Sequence, residues 1–223
     1  MFQNPFQQKE EFKVPSTAEV VVVADLFAED YLGGAELTTE ALLKSSPLNV
    51  YKVHSKDVTM ETLESGYNKF WIFTNYSQMS AELIPTIVSN LNYCIVEYDY
   101  KFCRYRSIEK HLSAEMKDCD CADSMHGKLT SAFFHGATTV FYMSYAQMQR
   151  YHDRFPFLAE SDGSNQFVLS SCFSDEFFAT IKLLREAAAN KERKGWLVLG
   201  STSWIKGTEA AIQWCKDNDK EYE

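Results

Sequence analysis

Glu19–Phe27 reads EVVVVADLF, a continuous β-branched run broken by a carboxylate at Asp25. A run without polar alternation marks a strand covered on both faces, the situation of a parallel sheet. Downstream, a loop holding Gly33 and Gly34 leads into Ala35–Lys44 (AELTTEALLK), good helix formers with Leu37, Ala41 and Leu42 on one side. The alternation continues, with strands expected at Asn49–His54, Lys69–Asn75, Tyr93–Tyr98, Thr138–Ser144 and Gln166–Ser170, and a last one at Gly195–Gly200. Between them helices are expected at Met60–Gly66, Ala81–Leu91, Lys128–His135, Ala146–Phe155, Asp175–Asn190 (with Ser174 placed to cap it) and Thr208–Lys216. Residues 101–126 are less regular and carry most of the cysteine and histidine. Strands alternating with helices of this length imply βαβ units, hence an α/β fold with a Rossmann-like parallel sheet and helices on both faces.

Residues 1–17, with Pro5, Pro15 and the charged Lys9-Glu10-Glu11, read as an amino-terminal arm, and residues 18–165 as the Rossmann-like domain. The Gly-, Ser-, Asn- and Asp-rich stretch around 160–170 marks a boundary, after which residues 166–223 begin a second unit. The formal net charge of −9 argues against sequence-independent nucleic-acid binding, which needs clustered Lys and Arg to neutralise phosphates. No apolar run approaches the ~20 residues that span a bilayer. The start, MFQNPFQQKEEFKVPS, has no apolar core of the kind a secretory signal carries. A cytoplasmic protein with reduced thiols is the expectation for its six cysteines.

Two loops carry the candidate chemistry. In a doubly wound sheet, ligands bind at the carboxyl ends of the strands. A Gly33-Gly34 step ahead of a helix lets backbone amides approach an anion where the helix dipole favours negative charge. Neither GxGxxG nor a P-loop is present, and a plain flexible turn reads the same residues equally well. The second loop, Glu97-Tyr98-Asp99-Tyr100-Lys101-Phe102-Cys103-Arg104-Tyr105-Arg106, holds the densest basic cluster of an acidic chain. It reads either as a sugar- or anion-recognition segment, with aromatics to stack and Arg to make bidentate contacts, or as a solvated loop whose arginines pair with Glu97 and Asp99.

Within that region, Cys103, His111, Cys119, Cys121 and His126 offer ligand types that suit structural zinc. The single residue between Cys119 and Cys121 is tighter than finger spacing, and ordinary thiols read the pattern as well. Nucleophilic chemistry finds little support: there is no GxSxG elbow. His135, in AFFHG, reads as a structural histidine. Asp25 ends the first strand as a phospho-acceptor would, but without that family's acidic neighbours and Lys partner at matching positions.

Gly33-Gly34-Ala35-Glu36 followed by a helix resembles the first loop of retaining glycosyltransferases of the GT-B fold. Further stretches resemble that family in the same order: Val140–Ser144 with Gln147, Phe167–Ser171, and Leu197–Gly200 followed by Lys206-Gly207. The resemblance spans roughly residues 19–218. It implies a hexosyltransferase-like activity, moving a sugar from a nucleotide-diphosphate sugar to a sugar-containing acceptor, with no metal or further cofactor required. It implies that Gly33 and Gly34 hold the donor diphosphate and that Lys206 neutralises it. Tyr98, Asp99 and Arg104 are then the candidates for acceptor contact. Two departures stand out: Ser201 occupies a position where many relatives carry Arg, and the chain stops at Glu223 before the paired glutamates that hold the donor. The expectation is therefore a half enzyme, completed by further sequence or by a partner chain. The alternative is a non-catalytic α/β module that binds a sugar, a nucleotide or a protein.

Overall fold

Val20–Ala24 (β1) is buried along its whole length, as its unbroken apolar run requires. It is the pivot of the sheet. The computed structural model describes residues 13–160, 165–191, 194–200 and 206–223. The expected arm therefore lies outside the described residues up to residue 12, as do Ser201 and part of the 160–170 stretch.

The chain divides into two compact units, residues 1–174 and 175–223. In the first, six parallel strands lie in the order β2-β1-β3-β4-β5-β6. The remaining strands are β2 Val50–His54, β3 Phe70–Phe73, β4 Asn92–Glu97, β5 Thr139–Tyr142 and β6 Gln166–Val168. The helices of this unit are α1 Gly34–Ser45, α2 Met60–Ser65, α3 Ile84–Asn90, α4 Ile108–Glu115, α5 Met125–Gly136, α6 Tyr145–Arg154 and α7 Phe157–Glu160. This is a Rossmann-like α/β fold, and the short β6 completes its sheet beside β5.

The direction of travel sorts the helices. The first crossover steps from β1 to β2 at one edge; every later crossover steps the other way. With right-handed connections, α1 must then lie on the opposite face from the helices that follow. The core obeys this. Val20, Val22 and Ala24 pack with Leu43 of α1. Val21, Val23, Trp71, Phe73, Tyr93 and Ile95 pack with Leu63, Ile87, Phe133 and Tyr151 from α2, α3, α5 and α6. The reversal leaves a topological switch point between β1 and β3, where ligand crevices form in such sheets.

Two local expectations meet different outcomes. Residues 101–126 contain α4, whose Ser107 side chain accepts the Lys110 amide as an N-cap. Gly195–Gly200, expected as a strand, forms a single parallel bridge between Trp196 and Tyr222. The second unit otherwise holds α8 Asp175–Ala187 and α9 Thr208–Asp217. Among the described residues no helix is long and apolar enough to cross a membrane.

Candidate functional site

Strand register explains where the polar groups gather. Val23, Phe73 and Ile95 stand in one row across β1, β3 and β4, on the face carrying the larger core. Side chains alternate with a period of two, so two residues further on the same face come Asp25, Asn75 and Glu97. Val53 of β2 continues in the same way to Ser55. The buried apolar face thus turns polar at the carboxyl ends of four strands, beside the switch point.

Asp25 is the hub. Its Oδ1 accepts the Ser55 hydroxyl at 2.5 Å and the Gln78 amide at 3.2 Å. Its Oδ2 accepts the Ser77 hydroxyl at 2.6 Å and Arg106 Nη1 at 3.3 Å. Arg106 reaches in from the loop after β4. Its Nη1 also donates to Ser77 Oγ at 3.0 Å, its Nη2 to Asn75 Oδ1 at 2.9 Å, and its Nε to Asp99 Oδ2 at 2.6 Å. The backbone there is left-handed, with φ +55°, a conformation that costs a non-glycine residue of order 1–3 kcal/mol and that surrounding contacts must hold.

Lys101 is 4% exposed, and its Nζ donates to Asn75 Oδ1 at 2.8 Å and Asp99 Oδ1 at 2.7 Å, with Glu97 Oε2 at 3.6 Å. The rest of the residue is clamped too. Its amide donates to Glu97 Oε1 and Tyr151 Oη, and its carbonyl oxygen lies 2.7 Å from His126 Nε2. Glu97 Oε2 has no hydrogen-bond partner.

Burial raises the Glu97 carboxyl to about 8, with Lys101 opposing it only in part. Burial also pushes Asp99 upward, but Lys101 and Arg106 together outweigh it and hold the group below 3.8. The two act in separate pH windows. Between 4.5 and about 8 the folded protein keeps a Glu97 proton that the unfolded chain has lost, so stability falls as pH rises through that interval. Asp99 contributes stability above 3.8 that disappears on acidification through its lower folded value. Urea unfolding of the wild type and Glu97→Gln from pH 5 to 8.5 is expected to show the wild type losing stability relative to the variant. A pH-independent difference between the two would refute the assignment.

Against this cluster lies a cavity of about 340 Å³, at the small end of the ~300–1,000 Å³ typical of ligand pockets. Lys101, Arg104, Arg106 and His126 furnish a basic side; Tyr76, Met79 and Ile84 furnish an apolar one. Arg104 is partly engaged, with Nη2 3.0 Å from Glu115 Oε1.

The remaining sequence candidates fall as follows. Asp99 belongs to the polar cluster and Arg104 to the cavity. Tyr98 turns to the other face, where its Oη meets Thr39 Oγ1 of α1 at 2.8 Å. Gly33 is the N-cap of α1, with no side-chain cap, and Gly34 is its exposed first residue. That turn leaves the carboxyl end of β1, so it shares the sheet edge with the loop after β4. A Cβ on Gly33 would collide with Glu36 and Tyr31, whereas one on Gly34 would meet nothing within 4 Å. Lys206 lies in the second unit, exposed, just ahead of α9. Sequence reasoning set Asp25 aside and passed over Ser55, Asn75 and Ser77.

A second constellation gathers Cys103, His111, Cys119 and Cys121, with ligand atoms all within 4.8 Å of one another. His126 stands outside it. No protein-family model, no curated protein and no solved structure matches this chain.

Proposed function

We propose that this chain is the amino-terminal part of a GT-B-like glycosyltransferase, in which the Gly33-Gly34 turn takes the diphosphate of a nucleotide sugar and the basic cavity takes the acceptor. The observation that carries the reading is the open approach to Gly34. It begins a helix of twelve residues, its Cβ direction is empty, and the N-cap Gly33 provides no side-chain acceptor for the first-turn amides. Helix amides left without intrahelical partners, at the positive end of the dipole, suit a diphosphate. Departure of that diphosphate is the charge-developing event in glycosyl transfer, and fixed donors stabilise it electrostatically. Across the same edge, Arg104, engaged by Glu115 at Nη2, offers its other donors to a polar acceptor, while Met79 and Ile84 line the apolar side of the cavity.

Calorimetric titration of the 223-residue chain with uridine, guanosine and adenosine diphosphates tests this. One of them is expected to bind, and Gly34→Val, which the fold has room for, to weaken it at least tenfold with an unchanged melting temperature. Absence of binding across the panel, or equal binding by Gly34→Val, would overturn the diphosphate assignment. Binding without any transfer when the corresponding sugar nucleotides are supplied with acceptors would favour a non-catalytic binding module.

A further inference from the structure

Three thiols and one imidazole meet in the interior where the loop after β4 packs on α4 and on the turn before α5. Cys103 and Cys121 are buried, Cys119 is half-buried, and His111 has no exposed surface. His111 Nδ1 lies 3.7 Å from Cys103 Sγ and 3.5 Å from Cys121 Sγ. Tetrahedral zinc, with Zn–S bonds of ~2.3 Å and Zn–N bonds of ~2.0–2.1 Å, sets a sulfur-to-nitrogen edge of about 3.6 Å and a sulfur-to-sulfur edge of about 3.8 Å. The two nitrogen edges, 3.7 and 3.5 Å, bracket that value. The 4.8 Å limit on the whole set requires no more than about 1 Å of closure at the widest pair.

We propose that Cys103, His111, Cys119 and Cys121 bind one structural zinc ion. Four protein ligands fill a tetrahedron and leave no open position, which marks a structural rather than a catalytic ion. Soft thiolates with imidazole select zinc over magnesium or calcium, which take oxygen. The histidine carries independent evidence. Its Nε2 is buried with no hydrogen-bond partner, and Asp120 Oδ1 lies 3.7 Å away. With Nδ1 on the metal, the proton resides on Nε2 and faces that carboxylate, the outer-shell arrangement that orients metal-bound histidines.

The ion has a structural task in this fold. Cys103 stands between Lys101 and Arg106, so a metal there pins the segment that delivers Lys101 to Asp99 and Arg106 to Asp25 and Asp99. It also holds the two left-handed non-glycine residues nearby, Arg106 and Met116. None of this depends on the glycosyl-transfer reading.

The test is metal analysis of the wild-type chain purified under reducing conditions without chelator. One zinc per chain is expected. Replacement by cobalt should give visible d–d bands of tetrahedral geometry with thiolate charge-transfer absorption. Cys119→Ser, at the most exposed ligand, should weaken zinc by more than the roughly tenfold to hundredfold typical of an outer-shell loss. Cys94→Ser, outside the cluster, should leave stoichiometry and cobalt spectrum unchanged. A wild type that retains no zinc, takes up cobalt without those bands, or shows a disulfide among the three cysteines under the same conditions would overturn the proposal.

Discussion

Lys101→Met is expected to destabilise the protein by about 3–5 kcal/mol, the usual cost of removing one partner from a buried charge cluster. Methionine keeps the bulk of the side chain, so the loss comes from the acceptors left behind. Asn75 Oδ1 and Asp99 Oδ1 lose a donor at 2.8 and 2.7 Å, and Glu97 loses its counter-charge. The loss should be greater at pH 9 than at pH 6. Glu97 ionises at about 8, and only above that value does Lys101 neutralise a full charge there. Adding Glu97→Gln to Lys101→Met should therefore abolish the pH-dependent part and leave the part owed to Asn75 and Asp99. Urea unfolding of the four proteins at both pH values measures each quantity. A loss of about 1 kcal/mol or less, the size of an exposed ion pair, would mean that water reaches the cluster freely.

Phe133→Ala is expected to cost a similar ~3–5 kcal/mol, by a different mechanism. The ring is completely buried, stacked on Tyr93 at 5.0 Å and edge-on to Phe73 at 5.1 Å and Tyr76 at 5.0 Å. Deleting it empties the contact between α5 and the sheet, and little around it can collapse into the space. For a chain of this size the corresponding fall in melting temperature is roughly 6–20 °C. Tyr76 also forms a wall of the cavity, so the same substitution should loosen the pocket. Phe167→Ala, at a ring 48% exposed on β6, serves as the contrast and should cost about 1 kcal/mol or less. Comparable losses at both positions would contradict the packing described.

The parallel sheet was readable because its signals are local. Four consecutive valines before Asp25 announce a strand covered on both faces, and helix-length segments separate it from the next. α4 was harder. IEKHLSAE buries His111 alone, and Leu112 is about half exposed, so the segment lacks a broad apolar stripe. Conversely, GWLVLG has the composition of a strand, yet among the described residues it forms the Trp196–Tyr222 bridge and a bond from the Val198 amide to the Glu223 carbonyl rather than a strand of the sheet.

The site was half readable. The basic loop stood out as a density of Lys and Arg, and its own Asp99 was foreseen as a partner, as Arg106 bears out; the partners from other strands were not. Ser55, Asn75 and Asp25 come from separate strands, and only inter-strand register aligns them. A faint signal existed: each polar residue stands two positions after the last buried apolar residue of one face, as in Val23-x-Asp25, Val53-x-Ser55, Phe73-x-Asn75 and Ile95-x-Glu97. Recognising it requires knowing which strands are neighbours. The cysteine cluster was visible as a concentration of ligand types between residues 103 and 126, but only the placement of α4 selects His111 over His126 as its imidazole.

Asp25 and Arg106 are separated by 81 positions along the chain. During synthesis the first strand leaves the ribosome with its carboxylate facing water, and the guanidinium that will neutralise it has not yet been translated. Parallel pairing adds its own delay, because each new neighbour arrives only after a helical crossover has been closed. The charge cluster therefore cannot seed the sheet. It works as a latch that shuts on an assembly already built by valine, tryptophan and phenylalanine, and it registers whether four strand tips have come to rest side by side.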